Sequence, residues 1–248
     1  MSAPEGIVVD GWTGQVLWAR RPDVERYPAS TVKIMTALIV LRSHIPLHTM
    51  VTVDQTAVSY GGSTAGLSIG ERISIWNLLH GMMLPSGNDA AAELAEVVGH
   101  TIPHFVDLMN ATARELGLRH THYLSPNGFD QPGQVTTARD LAALTAVAMH
   151  NPTFARIVRT RSWTVRTAGI PVHHWVNLDQ LLWQSAVING VKTGTTPGAG
   201  ACLVSSAQAG KHWVIVVIMG DSEASRFPDG WNLVRYGLSV DPALPTAR

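Results

Sequence analysis

Two short apolar runs, Ile7-Val8-Val9 and Gln15-Val16-Leu17-Trp18, flank a polar, Gly-containing stretch from Asp10 to Gly14. That spacing predicts a β-hairpin over residues 6–19. Tyr27-Pro28-Ala29 then leads into a strongly apolar segment, Ser30 to Leu41, which reads as a helix with Ser30 as its N-cap. From about Ile73 to His150 the chain is poor in strand patterning. It predicts a helix around Ile73 to Met83, a break at Leu84-Pro85-Ser86-Gly87, and a helix from Asn88 or Asp89 to Val98. Thr101 caps a further helix through Phe105, Leu108 and Met109 that stops at Gly117. Leu124 to Gly133 is rich in Pro, Gly, Asn and Asp and reads as a loop; Thr136 or Thr137 then caps a helix through Leu141 and Leu144 to about Met149.

Strand signals return in the last third. Ser162 to Thr167 alternates and is β-branched, and Ala201–Gln208 and His212–Met219 form a hairpin around Ala209-Gly210-Lys211. Residues Trp231 to Leu238 suit a terminal helix. Strands at both ends with helices between them predict an α/β (α+β) fold: one sheet closed by both chain ends, with an all-helical lobe inserted. The expected organisation is a single domain over residues 1–248, with a sheet lobe at about 1–72 and 151–248 and a helical lobe at about 73–150. A cleft between lobes is the natural place for a site.

Composition narrows the classes. Acidic and basic residues balance at 18 each and no basic run occurs. Nucleic acid is thereby disfavoured, because backbone binding needs clustered cations. Cys202 is the only cysteine, so no intramolecular disulfide forms. The N-terminus lacks a basic n-region and an apolar h-region, and no apolar run reaches membrane-span length. The expectation is a cytosolic protein or one whose export signal has been removed.

Three short motifs carry chemistry. Ser30-Thr31-Val32-Lys33 is an S-x-x-K sequence opening a helix, a spacing that puts the lysine amine within reach of the serine hydroxyl. A serine needs a base to take its proton, and a lysine serves only when neutral, a state that burial and the helix dipole favour. The bland alternative is a capped helix with a solvated lysine. Ser86-Gly87-Asn88 sits at a break between helices, where it either presents two polar side chains to a cleft or simply caps the next helix. Lys192-Thr193-Gly194 stands near a candidate sheet edge, where the glycine allows close approach and the lysine attracts a carboxylate; the alternative is a strand running into a turn.

In this order, S-x-x-K, S-x-N and K-T-G form the signature set of penicillin-binding proteins and class A β-lactamases, with S-x-N in place of S-D-N. The segments Pro28 to Ala37, Ser86 to Ala91 and Gly190 to Gly194 resemble low-molecular-mass penicillin-binding proteins of the D-alanyl-D-alanine carboxypeptidase family. So do Ser125 to Asp130, Gly133 and Thr137 to Leu141, and the likeness runs from about Ile7 to Gly237.

The resemblance implies a serine peptidase with a β-lactamase-like or penicillin-binding transpeptidase-like fold, an antiparallel sheet flanked by helices. Its substrate would be the peptidoglycan stem peptide, it would use no cofactor or metal, and β-lactam antibiotics would be covalent inhibitors. By the same likeness Ser30 is the nucleophile, Lys33 the base, Ser86 a proton relay to the leaving amine, and Asn88 a holder of the substrate amide. Lys192 would raise the positive potential and support Ser86. Thr193, Gly194 and Thr195 would form the carboxylate-binding strand, with the backbone N–H groups of Ser30 and Thr195 as the oxyanion hole. The middle pair of S-x-x-K is Thr31-Val32 where the family commonly has Leu-Thr, and Thr195 stands where His or Tyr is frequent. The chain stops near Pro245, so neither the β-rich C-terminal domain nor the membrane anchor of many members is expected. The substrate implies an extracytoplasmic location.

Two other functions compete: a β-lactamase, and a β-lactam-binding sensor. A class A β-lactamase deacylates through a loop glutamate. Glu115 instead ends a helix in Arg114-Glu115-Leu116-Gly117, and slow breakdown of a penicilloyl-enzyme is expected. A sensor would need a transmembrane or signalling segment. Gly61-Gly62-Ser63-Thr64-Ala65 falls one residue short of a nucleophile elbow and reads as a loop; His44, His48, His120, His122, His173 and His174 complete no zinc pattern.

Overall fold

Both chain ends feed one sheet. In the computed structural model, which describes residues 1–166 and 172–240, the chain opens with the expected hairpin, β1 (Glu5–Asp10) and β2 (Val16–Arg20). A single 3-10 turn over Ala29–Val32 runs into α1 (Lys33–Arg42). A small hairpin, β3 (Met50–Thr52) with β4 (Arg72–Ser74), encloses the short α2 (Gln55–Val58). Helices α3 (Ile75–Met83), α4 (Asn88–Gly99), α5 (Ile102–Glu115), α6 (Ala138–Met149) and α7 (Pro152–Arg159) follow. Next, β5 (Ser162–Val165) pairs with β6 (His173–Val176), and α8 (Leu181–Gln184) leads to β7 (Ile188–Thr196), β8 (Gly200–Ala209), β9 (His212–Asp221) and α9 (Arg226–Ser239).

Among the described residues, five strands form the main antiparallel sheet in the order β2-β1-β9-β8-β7. Period-two alternation sends Val214, Val216 and Ile218 to one face, where Phe227, Leu233 and Val234 of α9 cover them. Ile215, Val217 and Met219 face the opposite way, into the larger core shared with α1 and α3 to α7. Central strands covered on both faces are apolar for most of their length, which is why Ala201–Val204 of β8 and Trp213–Met219 of β9 read as apolar runs. β2 and β7 are the two edges of this sheet, and a cavity opens along β7 at Thr193 to Thr195.

Several boundaries differ from expectation. Helix α3 starts at Ile75 rather than Ile73, because Arg72–Ser74 pairs with Met50–Thr52 and the Ser74 hydroxyl caps Asn77. Of the two candidate caps before α6, Thr137 does the work, its Oγ1 accepting from the Asp140 N–H. Helix α9 begins at Arg226, five residues before Trp231. The strand expected over Ser162–Thr167 forms at Ser162–Val165, and Thr167 lies outside the described residues. Helix α7 had a readable start: Asn151 caps Thr153 and Phe154, with Pro152 at the first helical position. No helix among the described residues is long and apolar enough to cross a membrane.

Candidate active site

Ser30 is not the N-cap of α1. It lies inside the 3-10 turn, after Ala29, whose φ of +47° is left-handed. Two glycines hold this backbone. A Cβ on Gly128, itself at φ +94°, would lie 1.9 Å from the Ala29 carbonyl oxygen, and one on Gly194 would lie 2.8 Å from the Ser30 nitrogen. The loop before α6 and strand β7 therefore clasp Ser30 from two sides, a constraint that local cap preference cannot express. Thr36 Oγ1 ties α1 to that loop by donating to the Pro126 carbonyl at 2.7 Å.

Lys33 is fully buried. Its Nζ lies 3.0 Å from Ser30 Oγ, 2.7 Å from Asn88 Oδ1 and 2.9 Å from the Asn127 carbonyl oxygen. Burial drives the lysine pKa well below its ordinary value, the Lys192 charge adds to that, and Asp89 opposes it. The lysine is thus poised to be neutral beside a serine hydroxyl.

Asn88 opens α4, and its orientation is set by the loop between α2 and β4: Nδ2 donates to the Gly61 carbonyl at 2.7 Å and its backbone N–H to Ser63 O at 2.8 Å. That loop is in turn organised by Asp89, whose carboxylate accepts from Thr64 Oγ1 and the backbone N–H groups of Ala65, Gly66 and Leu67. Ser86 sits at the break between α3 and α4 with φ +66°, its buried Oγ without a partner among the described residues. An unbonded hydroxyl on a strained backbone is suited to receive a ligand or relay a proton.

On the facing strand Lys192 is buried, and its Nζ donates to the Thr193 carbonyl at 3.0 Å. It makes no bond to Ser86 here, unlike the link the resemblance implied. Burial lowers its pKa to about 7, helped by Arg226 and opposed by Asp179. Arg226, which no motif marked, comes from the start of α9: its Nη1 donates to Gly194 O at 3.1 Å and Thr195 Oγ1 at 2.9 Å.

Ser30, Ser86, Thr193, Gly194 and Thr195 line one cavity of about 290 Å³, joined by Arg226, Gln180 and Glu223, which no motif marked, and by Ser63, whose segment read only as a loop. Lys33 and Asn88 reach it through Ser30, whereas Lys192 does not line it. A serine against a buried lysine, beside an edge strand of an antiparallel sheet with a guanidinium at its end, is the arrangement of a serine acyl-transfer hydrolase.

Comparison with known proteins gives the particular family. The D-alanyl-D-alanine carboxypeptidase family model matches residues 1–223, and the chain belongs to that family. It is 34% identical, over 97% of this chain and 88% of the relative, to a D-alanyl-D-alanine carboxypeptidase of Streptomyces sp.. Against DacD of Escherichia coli it is 37% identical over 93% of this chain, spanning 62% of that protein. The crystal structure of a Streptomyces DD-transpeptidase superposes with a TM-score of 0.93 at 33% identity, covering 97% of this chain and 98% of that one. DacD from Francisella tularensis gives 0.89 at 30% identity, over 96% of this chain and 71% of that one. The fold is that of the penicillin-binding DD-peptidases.

Proposed function

We propose that the protein removes the terminal D-alanine from peptidoglycan stem peptides through an acyl-enzyme on Ser30. The observation that carries this reading is the 3.0 Å contact between Ser30 Oγ and a buried Lys33 whose pKa is depressed. Neutral Lys33 takes the hydroxyl proton as Ser30 Oγ bonds to the carbonyl carbon between the two D-alanines. Backbone N–H groups of Ser30 and Thr195 hold the oxyanion, a contribution of roughly 3 kcal/mol per donor. The C–N bond breaks as a proton reaches the leaving amine through Ser86, whose free Oγ suits that relay. Water then attacks the ester and frees Ser30.

Asn88 keeps an Nδ2 hydrogen for the substrate amide beyond the one given to Gly61. Thr193, Thr195 and Arg226 receive the terminal carboxylate, and Lys192 adds positive potential from behind. Penicillins present a strained amide and a carboxylate to the same groups and would acylate Ser30. A substrate in the cell wall supports an extracytoplasmic location.

D-Alanine release from a Lys-D-Ala-D-Ala peptide, measured for the protein and for Ser30→Ala, tests this reading. Release that vanishes in the variant supports it; a folded wild-type protein releasing none refutes the carboxypeptidase assignment.

A further inference from the structure

Between α2 and β4, residues 61–67 form neither helix nor strand, yet their backbone closes around the Asn88 side chain. Gly61 O accepts from Asn88 Nδ2 at 2.7 Å, and Ser63 O accepts from the Asn88 backbone N–H at 2.8 Å. Between these two, a Cβ on Gly62, at φ +80°, would lie 3.0 Å from Nδ2. Ser63 also lines the cavity that contains Ser30.

One buried side chain fixes that segment. Asp89 is 2% exposed, and its carboxylate accepts five hydrogen bonds. Only the bond from the Ala90 N–H, at 2.9 Å, belongs to α4 itself. The other four come from Thr64 Oγ1 at 2.6 Å and from the N–H groups of Ala65, Gly66 and Leu67 at 2.8, 3.0 and 3.1 Å. An anion in the first turn suits a helix dipole, but the dipole requires none of these four partners. Three consecutive N–H groups outside any ladder need an acceptor, and a charged one binds them more strongly than a neutral one. From the opposite side Trp175 Nε1 donates to Ala65 O at 2.7 Å. The Trp175 ring stacks on His173, whose Nε2 lies 2.8 Å from Glu71 Oε1.

We infer that Asp89 is a positioning residue for acylation: by fixing residues 61–67 it keeps the Asn88 amide turned with Oδ1 toward Lys33 and Nδ2 toward Gly61. The inference rests on the acyl-enzyme reading proposed above, in which Lys33 takes the Ser30 proton. The two ends of an amide have nearly the same shape, so their partners decide which end faces the lysine. Without Gly61 O in place the amide can turn, and its N–H groups would then face the hydrogens of the Lys33 amine. The lysine lone pair would no longer be directed at Ser30 Oγ. Asp89 also acts on the amine through its charge. Burial and the Lys192 charge on β7 lower the Lys33 pKa, and the Asp89 charge on α4 opposes them. Removing the Asp89 charge and turning the amide both disfavour the protonated lysine, so the two effects share one direction.

The test combines two readouts on the full chain: the pH–rate profile of acylation by a fluorescent penicillin, and the titration of Lys33 itself. Lys33, Lys192 and Lys211 are the only lysines of the chain, so carbon NMR of lysine-labelled protein can follow the Lys33 Cε signal. In Asp89→Asn the Lys33 midpoint and the ascending limb of the rate should both move down by about half a pH unit or more. The plateau rate should fall about tenfold. A residue that merely stabilised α4 would lower the melting temperature and leave midpoint and limb in place. Thr64 is exposed, so Thr64→Val should fold whether or not Asp89→Asn does. It keeps the charge and removes one of the five bonds, so a plateau about threefold lower and a smaller downward shift of the midpoint are expected. Thr64→Ser, which retains the hydroxyl, should restore both. A folded Asp89→Asn with an unmoved Lys33 midpoint overturns the inference, and so does Thr64→Val that matches wild type in midpoint and rate. A wild-type protein that takes up no penicillin and releases no D-alanine refutes the acyl-enzyme reading instead, and the Lys33 midpoints still decide whether Asp89 holds the amide.

Discussion

Lys33 Nζ is closer to Asn88 Oδ1, at 2.7 Å, than to Ser30 Oγ, at 3.0 Å. A neutral amine has two hydrogens and one lone pair. Asn88 Oδ1 and the Asn127 carbonyl are both acceptors, so they take the two hydrogens and leave the lone pair for the Ser30 O–H. The bond from Asn88 Nδ2 to Gly61 O fixes which end of the amide faces the lysine. Asn88 thereby orients the amine to which the proposed function gives the role of base.

Asn88→Asp keeps the shape but adds a charge that stabilises protonated Lys33. The ascending limb of the pH–rate profile should move up by about one pH unit or more, with about a tenfold loss of rate at neutral pH. Peptide turnover measured against pH checks this; an unmoved limb would remove Lys33 from the role of base.

Gly128→Ala should be far more damaging than its chemistry suggests. The added Cβ would fall 1.9 Å from the Ala29 carbonyl, at a position with φ +94°. A stability loss of roughly 3 kcal/mol or more and near-complete loss of activity are expected. Gly210→Ala is the comparison: φ is +57° but nothing lies within 4 Å, so only about 1 kcal/mol is at stake. Urea midpoints and turnover of both variants test the contrast.

Lys192 lowers stability in a pH-dependent way. Its folded pKa, about 7, lies below the unfolded value of 10.5, so between these limits the unfolded chain holds more protons and stability rises with pH. Below about pH 7 the burial penalty is fully present; above about 10.5 it is gone. Lys192→Met removes the titration. The stability of wild type relative to the variant should therefore increase from pH 7 to pH 9.5, read from urea midpoints, while the variant loses peptide turnover.

Asp179 is 1% exposed, and its Oδ1 accepts from the Leu181 N–H at 3.0 Å while Oδ2 has no partner among the described residues. Burial raises its pKa to about 6, against the pull of the Leu181 N–H, Lys192 and Arg226. Asp179→Asn retains the Leu181 bond and deletes the charge that raises the Lys192 pKa. At pH 7 Lys192 would be less protonated, so KM for a peptide ending in a carboxylate should rise roughly three- to tenfold with kcat less affected. Steady-state kinetics with that peptide at pH 6 and pH 8 would show whether Asp179 acts through this charge.

Much of the architecture was legible because it is local. Thr101, Thr137 and Gly117 mark helix ends through bonds to residues three or four positions away. The β8–β9 hairpin is written in two apolar runs and one turn. Ser30 and Lys33 are three apart, so any tight turn brings them together, and S-x-x-K could be read directly. The family motifs named Ser86, Asn88 and the Lys192 strand for the same reason: each is a short run.

The amino-acid order by itself therefore determined most of the longer helices, the strands at both chain ends and the spacing that joins Ser30 to Lys33. Only the tertiary structure decided that Ser30 sits in a 3-10 turn, because Gly128 and Gly194 press on it from distant segments. It also brought in the Asn127 carbonyl, 94 residues from Lys33, and Arg226, 31 residues beyond Thr195. Such contacts leave no periodicity or spacing to read, because burial and charge act through space. They are what lower the pKa of a lysine beside Ser30 and set a guanidinium at the end of a strand edge.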